Sequence, residues 1–193
     1  MIKLPKILIY SRFVVGPLLF LLSIIHISNY KSVAVGLVVF GFLSDILDGM
    51  TARYLRIPPE KLAKLDSTAD EVFWLSVTAA TFIQCKSFFV SNSIQLITLL
   101  GIECLTYIIC FAKFRKGVAV HSIGSKVWTL AIFATFIQVI LTGDSLVIFQ
   151  ICFYIGMIRC IEVIGIILIL KTWTNDVRSL YHAISIRKSE AIK

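Results

Sequence analysis

Long apolar stretches dominate this chain, and polar residues gather between them. A helix needs about 20 mostly apolar residues to cross a bilayer, and six stretches reach or approach that length. They cover residues 7–27, 33–50, 68–90, 92–112, 126–142 and 146–170. The pattern predicts an all-α integral membrane protein, built as a six-transmembrane-helix bundle.

The polar segments predict where the helices end. The stretch 33–50 is short for a span, so we expect its helix to continue past the membrane edge and carry its polar end. Residues 84–96 and the sequence "TGDS" at 142–145 are predicted to be turns. We assign residues 1–171 to the six-helix domain and 172–193 to a polar cytoplasmic tail that forms a short interfacial helix.

Composition and charge support a membrane protein. The chain is 58% hydrophobic and 16% charged, whereas soluble domains are about 25% charged. Its net charge of +8 follows from topology. If the N-terminus is cytoplasmic and the spans alternate, only Lys31 and Lys86 fall on outer segments. This predicts a protein of the cell membrane with both termini in the cytoplasm, in contact with membrane lipids, and no nucleic-acid partner.

More than half of the eleven acidic residues fall in one short segment. Asp45 and Asp48 are spaced i,i+3, and Asp66 and Asp70 are spaced i,i+4, so each pair shares one helix face. The sequence "IPPE" at 57–60 breaks the helix between the pairs, because two consecutive prolines do not fit inside one. We therefore expect a helical hairpin whose two carboxylate pairs face each other.

Converging carboxylates repel each other unless a cation neutralises them. Hard divalent cations bind carboxylate oxygens, and two such ions can share a cluster of four acids. The alternative is a solvated helix end whose acids pair with nearby basic residues. Those residues are Arg53, Arg56, Lys61 and Lys64.

Small and basic residues follow the first acid pair. Gly49 and Ala52 leave room for a ligand to approach the backbone. Arg53 lies one turn past Gly49, where a guanidinium can hold a phosphate or diphosphate. Carboxylates that bind metal, next to a basic clamp at a membrane surface, suggest phosphoryl chemistry on a lipid.

The segment 45–70 resembles the signature of the CDP-alcohol phosphatidyltransferases, D-x2-D-G-x2-A-R-x8-G-x3-D-x3-D. Every gap is kept, and the one fixed position that differs is Leu62, where the family has glycine. The six-span layout is also similar to that family. The resemblance implies an enzyme, active at the cytoplasmic face, that transfers a phosphatidyl group from a CDP-linked lipid to an alcohol and releases CMP.

The resemblance also implies roles for single residues. Two Mg²⁺ or Mn²⁺ ions would be held by the first three aspartates with a contribution from Asp70, which would also take the proton from the acceptor hydroxyl. Leu62 would fill space that glycine leaves for the nucleotide, which bears on nucleotide affinity and substrate identity. The implied metal ligands are Asp45, Asp48, Asp66 and Asp70, and the implied CDP-lipid-binding residues are Gly49, Ala52 and Arg53.

The N-terminus is similar to that of phosphatidylglycerophosphate synthases, which begin with P-N-x-L-T-x2-R. Pro5, Leu8 and Arg12 match this pattern, while Lys6 and Ile9 replace its Asn and Thr. Membrane arginines face protein or water, so we expect Arg12 to point at lipid phosphate near the site.

Two further groups of charged residues suggest contacts. Arg115, Lys116 and Lys126 lie in the second basic inner loop, where they are candidates for binding a phosphate on the acceptor or simply contribute to the positive-inside bias. In the sixth stretch, Arg159 and Glu162 are spaced i,i+3 and are expected to pair.

These observations lead us to predict a phosphatidyltransferase that uses CDP-diacylglycerol, with glycerol 3-phosphate as the best candidate for the acceptor. Serine and inositol phosphate are alternative acceptors. An intramembrane prenyltransferase and a non-catalytic membrane protein that retains the fold are alternative functions. Family members form homodimers, and we expect the same here.

Overall fold

A computed structural model of the chain describes residues 3–25, 27–55, 62–115, 123–170, 172, 177 and 179–191. Every regular element in these residues is an α-helix, as the apolar pattern predicts. The helices are α1 (Lys3–Ile25), α2 (Tyr30–Tyr54), α3 (Ala63–Gln84), α4 (Lys86–Ser91), α5 (Ser93–Phe114), α6 (Ile123–Thr142), α7 (Val147–Ile169) and α8 (Leu180–Ala191).

Five of the described helices, α1, α2, α5, α6 and α7, are long and apolar enough to cross a membrane. The chain is therefore a multi-pass membrane protein. The third predicted span corresponds to α3, which has 22 residues but begins with charged side chains that include Lys64 and Asp66. A sixth span through α3 stays a prediction.

The helix ends agree with most of the predicted boundaries. Helix α2 continues to Tyr54, beyond the apolar stretch that ends at residue 50, as expected. The turn at 142–145 is confirmed, with Gly143 at a φ of +86°, a left-handed conformation that glycine adopts without strain. The turn expected at 84–96 is wrong in part, because Phe88 is buried there within the short helix α4. The double proline lies outside the described residues.

The chain forms two compact units, of which the first contains Met1–Val90 and Phe136–Ser145. In this unit α1 packs against α2 and α3. Phe73 of α3 lies against two glycines. A Cβ atom at Gly41 would lie 2.3 Å from the Phe73 ring, and one at Gly16 would lie 3.0 Å from its Cα. Small residues thus let the three helices that carry the aspartates and Arg12 approach closely.

The second unit contains Ser91–Thr135 and Leu146–Lys193. Helix α5 packs along α7, and Lys113 Nζ donates hydrogen bonds of 2.9 Å to the carbonyls of Ile167 and Leu168 near the end of α7. Helix α8 lies in the predicted polar tail, and its Ala183 is buried in a cluster with residues of α7. The tail therefore contains a short helix, as expected, and the position of this helix at the membrane interface stays a prediction.

Candidate active site

The first unit brings all four aspartates of the segment 45–70 to one place. Asp45 and Asp48 lie in the second half of α2, and Asp66 and Asp70 lie near the start of α3. Since each pair occupies one helix face, packing α2 and α3 around α1 directs both pairs to the same partner. That partner is Arg12 of α1, which forms an ion pair with every one of them.

Arg12 is fully buried, with a side-chain exposure of 0%. Its Nη1 donates to Asp45 Oδ1 at 3.1 Å and to Asp70 Oδ1, and its Nη2 donates to Asp66 Oδ1 at 2.5 Å and to Asp48 Oδ2. In the sequence, Arg12 stands out as a charged residue inside an apolar stretch. In the structure, its partners are the aspartates. Residue spacing within one helix could not indicate this contact, because Arg12 lies on a different helix from the aspartates.

The cluster carries more negative than positive charge. Four carboxylates face one guanidinium, and this excess of acidic groups makes the site attractive to cations. Asp48 is nearly buried, with 5% of its side chain exposed, whereas Asp45, Asp66 and Asp70 are each about one third exposed. Three of the carboxylates are therefore open to ligands from outside the protein.

Asp45, Asp48 and Asp66 fit a divalent cation. Each offers a carboxylate oxygen, and these oxygens all lie within 4.8 Å of one another, a spacing that lets one ion contact several of them. Asp70 is not part of this group of three. Among the described residues the ion pairs of the four aspartates all go to Arg12, so the alternative of surface pairing with Arg53 or Lys64 is not what the structure has.

Space next to the cluster is provided by Gly49. A Cβ atom at Gly49 would meet nothing within 4 Å, so the backbone beside Asp48 is open. Ala52 is half-buried and packs against a neighbouring apolar cluster. Arg53 is exposed, and its Nε donates a 3.0 Å hydrogen bond to the Gly49 carbonyl.

Leu62, the one departure from the family signature, is buried at 7% exposure. It packs in a cluster with Ile9 of α1, three residues from Arg12, and with Ala69 of α3, which precedes Asp70. Its backbone has a φ of −115°, which any residue adopts, so the local backbone does not require glycine here. Ile9 departs from the N-terminal pattern of the synthases, so Leu62 and Ile9, each a departure from a family pattern, lie in one apolar cluster.

The residues expected to bind an acceptor phosphate belong to the second unit. Arg115 ends α5 with a φ of 52°, and both Arg115 and Lys126 are exposed. Lys116 lies outside the described residues.

The expected pairing of Arg159 with Glu162 is wrong. Arg159 Nη1 instead donates to both carboxylate oxygens of Glu103 in α5, at 2.6 Å to Oε2, and its Nε donates to Ser125 Oγ at 3.2 Å. The guanidinium also lies 5.1 Å from the centre of the Trp128 ring. Tertiary packing of α5 and α7 supplied a partner that the i,i+3 spacing within one helix could not indicate.

Comparison with known proteins matches residues 2–172 to the family model described as CDP-alcohol phosphatidyltransferase. A similar protein is the CDP-diacylglycerol–glycerol-3-phosphate 3-phosphatidyltransferase of Aquifex aeolicus (strain VF5), which is 31% identical over 176 residues. This alignment covers 90% of the chain and 93% of the relative. No solved structure matches the chain.

Proposed function

This chain belongs to the CDP-alcohol phosphatidyltransferase family, and we propose that it transfers a phosphatidyl group from CDP-diacylglycerol to glycerol 3-phosphate and releases CMP. The observation that carries the proposal is the convergence of four aspartates from α2 and α3, at the spacing of the family signature. Glycerol 3-phosphate is the acceptor that the name of the Aquifex relative specifies. The family assignment leaves no support for a prenyltransferase.

We assign the divalent ions, Mg²⁺ or Mn²⁺, to Asp45, Asp48 and Asp66, with Asp70 contributing. The carboxylate oxygens of the first three lie within 4.8 Å of one another, and the excess of acidic groups favours cations there. When bound by these residues, the ions would supply positive charge that offsets the charge of the donor diphosphate and of the departing CMP.

Asp70 is proposed to be the general base. Its carboxylate is one third exposed, so an acceptor hydroxyl can approach it. The hydroxyl oxygen forms a bond to the phosphorus of the phosphatidyl group, and the bond from that phosphorus to the CMP oxygen breaks. The hydroxyl proton passes to Asp70, and CMP leaves with the electron pair of the broken bond.

The donor is proposed to bind along the end of α2. The open backbone at Gly49 leaves room for the diphosphate. The small side chain of Ala52 adds little bulk to that side of the helix. Arg53 is exposed, and its Nε bond to the Gly49 carbonyl holds the side chain over the same turn, with its terminal nitrogens directed to phosphate oxygens. For the acceptor phosphate we propose Arg115, Lys116 and Lys126, of which Arg115 and Lys126 are exposed basic side chains.

The membrane arrangement that suits this reaction has six spans and the active site at the cytoplasmic face. Helix α3 has 22 residues, which at about 1.5 Å per residue covers roughly 33 Å, enough for a bilayer core. With six spans the two termini lie on the same side, and the distribution of basic residues places that side in the cytoplasm of the cell. We propose a homodimer, as in other members of the family.

The test is CMP release by the purified protein from CDP-diacylglycerol, with Mg²⁺ or Mn²⁺ and with glycerol 3-phosphate, serine or inositol phosphate as acceptor. We expect metal-dependent release with glycerol 3-phosphate. Release with serine or inositol phosphate, and not with glycerol 3-phosphate, would support the same reaction with a different acceptor. No release with any acceptor would contradict the proposal and favour a non-catalytic membrane protein that retains the fold.

A further inference from the structure

Each terminal nitrogen of Arg12 donates hydrogen bonds to two of the four aspartates. Nη1 binds Asp45 of α2 and Asp70 of α3, and Nη2 binds Asp48 of α2 and Asp66 of α3. Each nitrogen therefore joins one acid from each helix. The guanidinium holds α2 and α3 together through the same carboxylates that would bind divalent metal.

Arg12 cannot easily leave this place for solvent. It is fully buried in α1, and its Nε is also buried and has no hydrogen-bond partner among the described residues. The unpartnered Nε costs free energy, which the ion pairs of the two terminal nitrogens offset. Among the described residues those ion pairs all go to the four aspartates, so the guanidinium serves as the counter-ion of the cluster.

A divalent ion and the guanidinium would compete for the same three carboxylates. Asp45, Asp48 and Asp66 are the three residues whose oxygens are close enough for one ion, and all three are bound by Arg12. Two positive groups within a few ångströms repel each other strongly where water is scarce. Because each carboxylate has a second oxygen, an ion that enters could bind beside Arg12 or displace it, and in both cases the positive charge of the guanidinium lowers the affinity for the ion.

We propose that Arg12 is an internal counter-cation that stabilises the metal-free site and competes with divalent metal for Asp45, Asp48 and Asp66. This inference rests on the proposed function. Metal held by those three carboxylates would weaken their contacts with Arg12. Asp70 lies outside the group of three, so its contact with Nη1 would remain and Arg12 would be the positioning residue of Asp70.

The experiment measures Mn²⁺ binding to purified protein without substrate, from the electron paramagnetic resonance signal of free Mn²⁺. Arg12→Gln removes the competing charge, so we expect it to bind Mn²⁺ about tenfold more tightly than the unmodified protein. We also expect its metal-free form to melt at a lower temperature and to gain more from added Mn²⁺, because four carboxylates then lack a counter-ion.

Arg159→Gln is the matched control. Arg159 is the other arginine inside an apolar helix, and it too is paired with an acid, but its partner Glu103 belongs to the second unit. We expect this variant to melt at a lower temperature and to bind Mn²⁺ with unchanged affinity. A general effect of losing a buried arginine would instead change both variants alike, and that outcome would overturn the proposal.

Unchanged or weaker Mn²⁺ binding by Arg12→Gln would also overturn it. If that variant does not fold, Arg12→Lys serves in its place, since an ammonium group cannot hold four carboxylates as a guanidinium does. The lysine variant is expected to bind Mn²⁺ more tightly than the unmodified protein, and weaker binding would again contradict the proposal. CMP release by the unmodified protein is a separate measurement, so failure of the inference and failure of the proposed function are distinguishable.

Discussion

Asp70 occupies a position among the four aspartates that the other three do not share. Asp45, Asp48 and Asp66 group around a common point, while Asp70 lies outside this group and is joined to it through Arg12. A carboxylate that contributes less to metal binding retains an oxygen that can take a proton. This geometry agrees with the role of base that we propose for it.

Replacing Asp70 with asparagine should therefore abolish CMP release and preserve the fold. General-base catalysis typically contributes 10²–10⁴-fold, so we expect the rate to fall by about that factor. The measurement is CMP release with saturating metal, together with the melting temperature of the purified variant.

The control for this variant is Glu71→Gln, which removes one negative charge from the neighbouring residue of the same helix. Glu71 is exposed and forms no described ion pair with Arg12. We expect this variant to retain activity. Substantial activity in Asp70→Asn would remove Asp70 as the base.

At the residue scale, the sequence predicted the aspartates because their spacing depends only on helix geometry. It could not predict that Arg12 binds all four, because that contact requires the position of α1 against α2 and α3. Leu62 shows the same limit. Its change from the family glycine is visible in sequence, while its burial against Ile9 follows from tertiary packing.

At the scale of single helices, the close approach of α2 to α3 depends on Gly41. A Cβ atom there would lie 2.3 Å from the Phe73 ring, closer than atoms of the two helices can approach. Phe73 is one turn along α3 from Asp70. A shift of the ring therefore also disturbs the active site.

Gly41→Ala should lower both stability and activity. Overpacking of this kind typically costs about 1–3 kcal/mol. Gly36→Ala is the matched control on the same helix, because a Cβ atom at Gly36 would meet nothing within 4 Å. There, alanine should raise stability by a few tenths to about 1 kcal/mol through its better helix propensity.

The melting temperatures of purified Gly41→Ala and Gly36→Ala distinguish a steric clash at position 41 from a general effect of alanine. Equal melting temperatures for Gly41→Ala and the unmodified protein would contradict the packing described here.

The long helices themselves could be predicted from the long apolar stretches. The short helix α4 did not, because Phe88 is helical and buried in a segment whose polar residues indicated a turn.

For the molecule as a whole, the number of spans decides which side each terminus faces. Six spans place both termini on the same side, whereas five spans, with α3 outside the membrane, place them on opposite sides. The apolar pattern alone could not settle this point, because the acids that we propose for the reaction also lower the hydropathy of α3.

Cysteines placed near the two termini test the topology. We expect Lys6→Cys and Arg187→Cys, in a background without the five natural cysteines, to react with an impermeant maleimide from the cytoplasmic side only. Both positions are exposed. Asp144→Cys, between α6 and α7, should react from the opposite side to Arg187→Cys in either topology and serves as the control. Labelling of positions 6 and 187 from opposite sides would show five spans.

The order of Arg12 and the aspartates along the chain has a consequence for biogenesis. Helix α1 leaves the ribosome before α2 and α3, so the guanidinium is already in the translocon or the bilayer when the first carboxylate arrives. Each charged residue that enters the membrane alone costs several kcal/mol, on the order of 3 kcal/mol in insertion experiments. We therefore expect Arg12 to be an assembly partner of Asp45 and Asp48 during synthesis, and a truncated chain that begins at α2 would have to insert them without it.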